Sequence, residues 1–210
     1  MRLGLNVGAG SFWEEKPRVY RYKSKGTVIR KDLQPEDQMS LLSAIAEQYR
    51  IWYMEDPFHP GDVMSHAQLT QKLPDTVIAG CELYGSDLER MKGGAKLMAT
   101  KALTVYPGSL RTVSHLNEIA NLARARGLKL VLSRGPRETE DAWISDLSVA
   151  FGADMLKLSI VGSENTSKFN RLMEIWDDAP SPSMGLSGPG EAIPEQSPRR
   201  SSAGTPRTLS

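Results

Sequence analysis

A single cysteine, Cys81, in 210 residues excludes an internal disulfide and any zinc site built on paired thiolates, which fits a reducing compartment. Histidine is nearly as scarce. His59, His66 and His115 show no His-x-x-x-His or Glu-x-x-His spacing, so each reads as a core or solvated side chain rather than a metal ligand. An excess of one charge is also missing: 26 Lys+Arg stand against 25 Asp+Glu, a formal net charge of +1. Binding to nucleic acid or to a membrane surface through bulk charge is therefore not expected. No apolar run approaches the roughly 18 residues that span a bilayer, and Met1 to Asn6 lacks the charged-then-apolar order of a signal segment. The expected location is cytoplasmic. Thiol chemistry at Cys81 stays open on these counts.

What is present divides into two parts. The last 32 residues, from Ala179, hold six of the 13 prolines and almost no large apolar side chains, so 179–210 is expected to be a disordered Pro/Ser/Gly/Arg-rich tail. It takes three basic and two acidic groups, leaving 23 of each in residues 1–178. From residue 50 onward, short apolar runs alternate with amphipathic stretches about every 25 residues, the rhythm of βα units on a parallel sheet. Six strands are expected at Arg2–Val7, Ile51–Met54, Thr76–Gly80, Leu97–Val105, Lys129–Ser133 and Met155–Ile160, with a hairpin between Phe12 and Lys31. Met39, Leu42, Ile45, Ala46 and Tyr49 share a helical face after Pro35, and Leu110, Val113, Leu116, Ile119, Ala120 and Ala123 share another. Ser109 is the expected N-cap of that second helix and Gly127 its C-terminal glycine. Further stripes fall on Trp143, Leu147, Ala150 and Phe151, and on Phe169, Leu172, Met173 and Trp176; both read as core.

Such a chain forms either a closed (β/α)8 barrel or an open doubly wound sheet. No Gly-x-Gly-x-x-Gly opens a helix after the first strand, which speaks against a dinucleotide site. In barrels the chemistry sits at the C-terminal ends of the strands, so the informative positions are Asn6, Glu55, Asp56, Cys81, Glu82, Leu103 to Tyr106, Arg134 and Lys157.

Those positions, with their flanks, resemble the enolase family. Leu3 to Phe12 is similar to the family's GLDVASSEF strand, Tyr53 to Phe58 to its IEDPF, and Ile78 to Leu83 to its VGDDL. Leu132 to Asp141 resembles VSHRSGETED. Leu156-Lys157, Ser163-Glu164 and Lys168 to Leu172 resemble IK, RSER and KYNQLL in order. The resemblance implies the C-terminal barrel region of an enolase: six βα units of a TIM-type barrel over residues 1–178, with the family's N-terminal domain and first barrel strands absent. It also implies the family reaction, Mg²⁺-dependent interconversion of 2-phosphoglycerate and phosphoenolpyruvate.

The chemistry explains why the family needs particular residue types. Removing a weakly acidic proton beside a carboxylate builds up negative charge that metal ions neutralise, while a lysine takes the proton. By resemblance the three metal carboxylates fall on Asn6, Glu55 and Cys81, and only Glu55 retains one. Asn6 still offers a carbonyl oxygen, but a thiol is a poor partner for Mg²⁺. Glu82 is a candidate substitute, although strand alternation points it to the other face. The base lysine falls on Leu103. Lys101, two residues earlier, lies roughly 6–7 Å along the strand, too far to replace it. The family's substrate-binding histidine, arginine and serine coincide with Arg134, Gly135 and Pro136, so Arg134 is left as a weak anion contact beside Arg137. Lys157 matches the second active-site lysine.

A plainer reading accompanies these positions. Glu55-Asp56-Pro57 suits a strand end, Thr139 suits a helix N-cap, and Lys157 suits a salt bridge to Glu55 or Asp56. The expected function is accordingly a catalytically impaired enolase homologue that acts by binding, with Mg²⁺ affinity weak or lost. Exposed sheet edges imply self-association or a full enolase-type subunit as partner. One alternative is a working phosphopyruvate hydratase or related lyase completed by a missing segment or partner. Another is a reactive thiol at Cys81, its pKa lowered by Lys157 or Arg134. Ser197, Ser201 and Thr205 in the tail can accept phosphate and offer it to a partner.

Overall fold

The computed structural model describes residues 1–24, 27–135 and 139–179, and side chains 24–31 are left aside. The tail expected from Ala179 thus lies outside the described residues except for Ala179 itself, as do Pro136, Arg137 and Glu138. In chain order the elements are β1 (Leu3–Asn6), β2 (Trp13–Glu14), β3 (Val19–Ser24), β4 (Thr27–Leu33), α1 (Pro35–Tyr49), β5 (Ile51–Glu55), α2 (Val63–Lys72) and β6 (Val77–Gly80). They continue with α3 (Leu88–Lys96), β7 (Ala102–Val105), α4 (Val113–Arg126), β8 (Lys129–Ser133), α5 (Trp143–Ala150), β9 (Met155–Lys157) and α6 (Ser163–Asp178).

Six strands form one sheet in the order β1-β5-β6-β7-β8-β9, every pair parallel. The sheet curls into a half-barrel with its helices outside. The βα rhythm allowed a barrel or an open doubly wound sheet, and the curl is that of the partial TIM-type barrel which the resemblance implied. The expected hairpin is a three-stranded antiparallel sheet, β2-β3-β4. Alternation along the strands sorts the core into an inner and an outer layer. Val77, Ala79, Ala102 and Val131, joined by Tyr53 and Met155, pack together without a helix residue and so line the concave side. Leu103, Val105, Leu130 and Leu132 face outward onto Leu116, Ile119, Ala120 and Ala123 of α4. Met54 and Ile78 meet Leu42 and Ala46 of α1 in a second outer cluster.

Helix boundaries follow capping chemistry. Pro35 opens α1 beside a capping box in which Gln34 and Asp37 exchange backbone and side-chain bonds. Gly127 closes α4 at φ 63°, the left-handed conformation glycine takes without steric cost. The expected Ser109 cap is displaced: Thr112 accepts the His115 N–H at 3.2 Å, and α4 starts at Val113. Likewise α5 starts after Ala142 rather than at Thr139. The strand expected over Leu97–Val105 shortens to Ala102–Val105, because α3 runs to Lys96 and Met98 turns the chain at φ 51°. The one expected over Met155–Ile160 ends at Lys157, ahead of the turn into α6. No helix among the described residues is long and apolar enough to cross a membrane.

Candidate functional site

The parity that builds the inner layer also selects what reaches the strand ends. Continuing it places Asn6, Glu55, Thr104, Ser133 and Lys157 on the concave side, with Cys81 just past the end of β6. Lys157 Nζ lies 2.5 Å from Glu55 Oε1, the ion pair expected from sequence. The other carboxylate oxygen accepts the Tyr53 hydroxyl, and the Thr104 hydroxyl sits 3.3 Å from that oxygen and 3.0 Å from Tyr53 Oη. Burial and the adjacent Glu55 push the Tyr53 phenol well above its ordinary range, so Tyr53 stays protonated and donates. Glu55, 2% exposed, is thereby engaged through both carboxylate oxygens by groups of its own chain.

Asp56, the next residue, serves the loop after β6. Its Oδ1 accepts the N–H of Cys81 at 2.9 Å and of Leu83 at 3.3 Å, and its Oδ2 accepts that of Glu82 at 3.0 Å. Burial raises its pKa to about 6, against the pull of those three bonds. Cys81 is held beside both carboxylates, and burial followed by their negative charge pushes its thiol up to about 12. Lys157 acts in the opposite direction and is outweighed. The expectation of a thiol pKa lowered by Lys157 is therefore corrected to a raised one, which disfavours the thiolate at neutral pH. At neutral pH, alkylation of Cys81 by iodoacetamide should run at least about 100-fold slower in the native protein than in urea, as timed by intact-mass spectrometry. Equal rates would show an accessible thiol of ordinary acidity, and a faster native rate a thiolate.

Several expected residues stand elsewhere. Leu103 is buried among Leu83, Tyr84 and Met91 on the outer side, and the residue of β7 that faces the site is Thr104. Neighbouring residues of a strand face opposite ways, so a step of one residue separates the two. Lys101 lies at the opposite end of the sheet, where its ammonium donates to the carbonyls of Leu73, Pro74 and Thr76 and closes the end of α2; burial lowers its pKa. Glu82 is exposed, with its carboxylate over Gly10 rather than beside Glu55. Asn6 pairs in register with Glu55 but is exposed at the sheet edge. Arg134 turns back to donate to the Gly135 carbonyl at 3.0 Å, beside a cavity of about 230 Å³ bounded by Ser133 and Lys157. Tyr53 was missed from sequence as a site residue, and Thr104 entered only within the stretch Leu103 to Tyr106, with no role given to it. Their signal was parity: each shares a strand face with a residue already singled out or its neighbour across the sheet.

The ligand atoms of Glu55, Asp56 and Cys81 lie within 4.8 Å of one another, the one such group among the described residues. Mg²⁺ asks for several hard oxygens with lone pairs to give. Here one carboxylate is bonded to an ammonium and two hydroxyls, the second is bonded to three N–H groups, and the third donor is a protonated thiol. The residues present do not fit Mg²⁺.

A curled parallel sheet with a lysine and a carboxylate paired at its strand ends belongs among barrel proteins that act at that face. The comparison with known families is specific. A family model described as the enolase C-terminal TIM barrel domain matches residues 1–184. The enolase of Pyrobaculum aerophilum is 32% identical over 175 residues, covering 83% of this chain and 40% of that protein. The enolase of Saccharolobus solfataricus is 33% identical over 174 residues, with 82% and 40% covered. The chain belongs to the enolase family, as its C-terminal barrel domain, and spans about 40% of the length of these curated relatives.

Proposed function

We propose that this chain is an enolase-family barrel domain that does not dehydrate 2-phosphoglycerate and acts instead by binding a protein partner or a ligand. The supporting observation is the engagement of both Glu55 carboxylate oxygens by Lys157, Tyr53 and Thr104. An internal ammonium stands where a site that stabilises a developing dianion needs an external cation. No side chain among the described strand-end residues is a free amine within reach to act as base. Lys157 is engaged with Glu55 and Lys101 is at the far end. The neutral Cys81 removes a further negative charge from the metal face. Mg²⁺ binding is therefore weak or lost in this reading, and the domain works in a reducing, cytoplasmic setting.

The test follows phosphoenolpyruvate by its ultraviolet absorbance, with 2-phosphoglycerate and Mg²⁺ supplied to the full chain. No turnover above the blank is expected, and about 5 mM Mg²⁺ should raise the melting temperature by less than about 1 °C. Turnover, or a clear Mg²⁺-dependent rise in melting temperature, overturns the reading. The retention of Glu55 and Lys157 on one face favours a second reading, a working hydratase completed by additional polypeptide. Repeating the assay with that polypeptide present separates the two.

A further inference from the structure

Two neighbouring apolar side chains stand out in solvent at the turn from β9 into α6. Ile160, which the sequence assigned to a strand, is 98% exposed and Val161 74%. Single exposed apolar residues are ordinary, but an adjacent pair on a fixed backbone marks a contact surface. The buried Asn165 fixes this turn: its Oδ1 accepts the Ser159 N–H at 3.1 Å, and its Nδ2 donates to the Val161 carbonyl at 2.5 Å. The Val161 N–H in turn reaches Ser159 Oγ at 3.4 Å. The two side chains are thus held out as a preformed knob, and docking it costs little further ordering.

A matching hole lies at the same end of the molecule. The loop after β7 and the first turns of α4 and α5 surround an open apolar cavity of about 140 Å³, lined by Leu110, Val113, Leu116, Trp143 and Leu147. Val113 and Trp143 lie on helical stripes that the sequence offered for burial, yet here they are 56% and 44% exposed. An apolar cavity of about 150 Å³ takes a benzene-sized guest, so this one suits a single branched aliphatic side chain. Arg111 on its rim is exposed and has no partner among the described residues. Beside the knob, the exposed Glu140 accepts the Ser163 hydroxyl at 2.6 Å, which brings a carboxylate to the start of α6.

We propose that two copies of this chain pair through their strand-end faces, with Ile160 and Val161 of each copy seated at the Trp143 cavity of the other. Three properties select a second copy as the occupant. The knob has the size that the cavity admits, and the carboxylate beside the knob complements the guanidinium on the cavity rim. Knob and cavity also share the C-terminal end of the sheet, since the first follows β9 and the second is built from the loop after β7 and the starts of α4 and α5. A two-fold axis therefore lets both insertions form at once, and the contact closes on itself instead of continuing as a filament. The inference rests on these surfaces and stands independently of the chemistry at Glu55.

The full chain at about 100 µM should sediment as a dimer, and Ile160→Asp or Trp143→Ala should each raise the dissociation constant at least about tenfold. Far-ultraviolet circular dichroism checks that each variant is folded, and Val113→Asp serves as the cavity variant if Trp143→Ala is not. The decisive sample mixes the knob variant with the cavity variant. One copy then keeps its knob and the other its cavity, so one of the two insertions is restored, and the mixed dimer should be at least about tenfold tighter than either variant alone. A monomer at the same concentration of wild type overturns the proposal. So does a dimer that both substitutions leave unchanged, or a mixture no tighter than the separate variants, because either result places the contact elsewhere.

Discussion

Replacing Lys157 by methionine should destabilise the domain by about 3 kcal/mol, and adding Glu55→Gln to that variant should restore most of the loss. The reason lies in the unequal exposure of the pair. The Glu55 side chain is 2% exposed and the Lys157 side chain 36%. Methionine fills a similar volume but leaves a carboxylate in a low-dielectric setting with only the Tyr53 and Thr104 hydroxyls for support. Stripping one partner from a fully buried pair costs about 3–5 kcal/mol; water at the ammonium end places this case at the low edge of that range. A glutamine at position 55 still accepts the two hydroxyls and carries no charge to strand. The check is a urea midpoint for each single variant and the double variant at pH 7. Equal losses in Lys157→Met and in the double variant would mean that lysine packing, rather than the stranded charge, sets the effect. The loss in the single variant thus measures the cost of a stranded buried carboxylate, not the net worth of the ion pair.

The order of strands and helices was legible because burial on both faces gives strands continuous apolar runs and the outer helices a 3.6-residue stripe. Pro35 and Gly127 marked boundaries through fixed backbone chemistry. The Lys157 and Glu55 pairing was legible too, with Asp56 as the other candidate, since a lysine and a carboxylate at strand ends that face one another across the curled sheet have few other partners. Facing direction was not. Leu103 and Thr104 differ by one residue, and that single step decides which of them faces the site. Thr112 shows the displacement, because the cap it provides lies three residues beyond Ser109. Lys101 has the composition of a base and the environment of a helix cap, which only its three carbonyl partners reveal. The stripe on Phe169, Leu172, Met173 and Trp176 was read as core; Leu172 and Trp176 are half-buried, whereas Phe169 and Met173 are exposed. Periodicity shows which face seeks burial and carries no information about whether a neighbour arrives.

His66 should make the domain sensitive to mild acid. It is fully buried on α2, its ring packed edge-on against Phe58 at 5.5 Å between centroids and its Nδ1 2.7 Å from the Asp62 carbonyl. The Nε2 atom has no partner among the described residues. Burial lowers the pKa to about 4, against the favourable carbonyl bond. Below its unfolded pKa of about 6.5 the open chain therefore takes a proton that the native state refuses, so stability is full above pH 6.5 and falls as pH drops toward 4. The interval is worth roughly 3 kcal/mol. Asp56 works in the opposite direction. Its pKa is raised to about 6, so the native state holds a proton that the unfolded chain releases, and stability grows as pH falls through that value. The wild-type profile alone thus shows two opposed slopes and little net change between pH 6 and 4. His66→Gln isolates one of them, since Asp56 contributes equally to both proteins and cancels in the difference. Wild-type minus variant unfolding free energy, from urea melts between pH 7 and 4, should decline by roughly 3 kcal/mol. A difference that stays flat would show that the native imidazole accepts the proton, which requires water or a carboxylate to reach Nε2 in a core that packing closes.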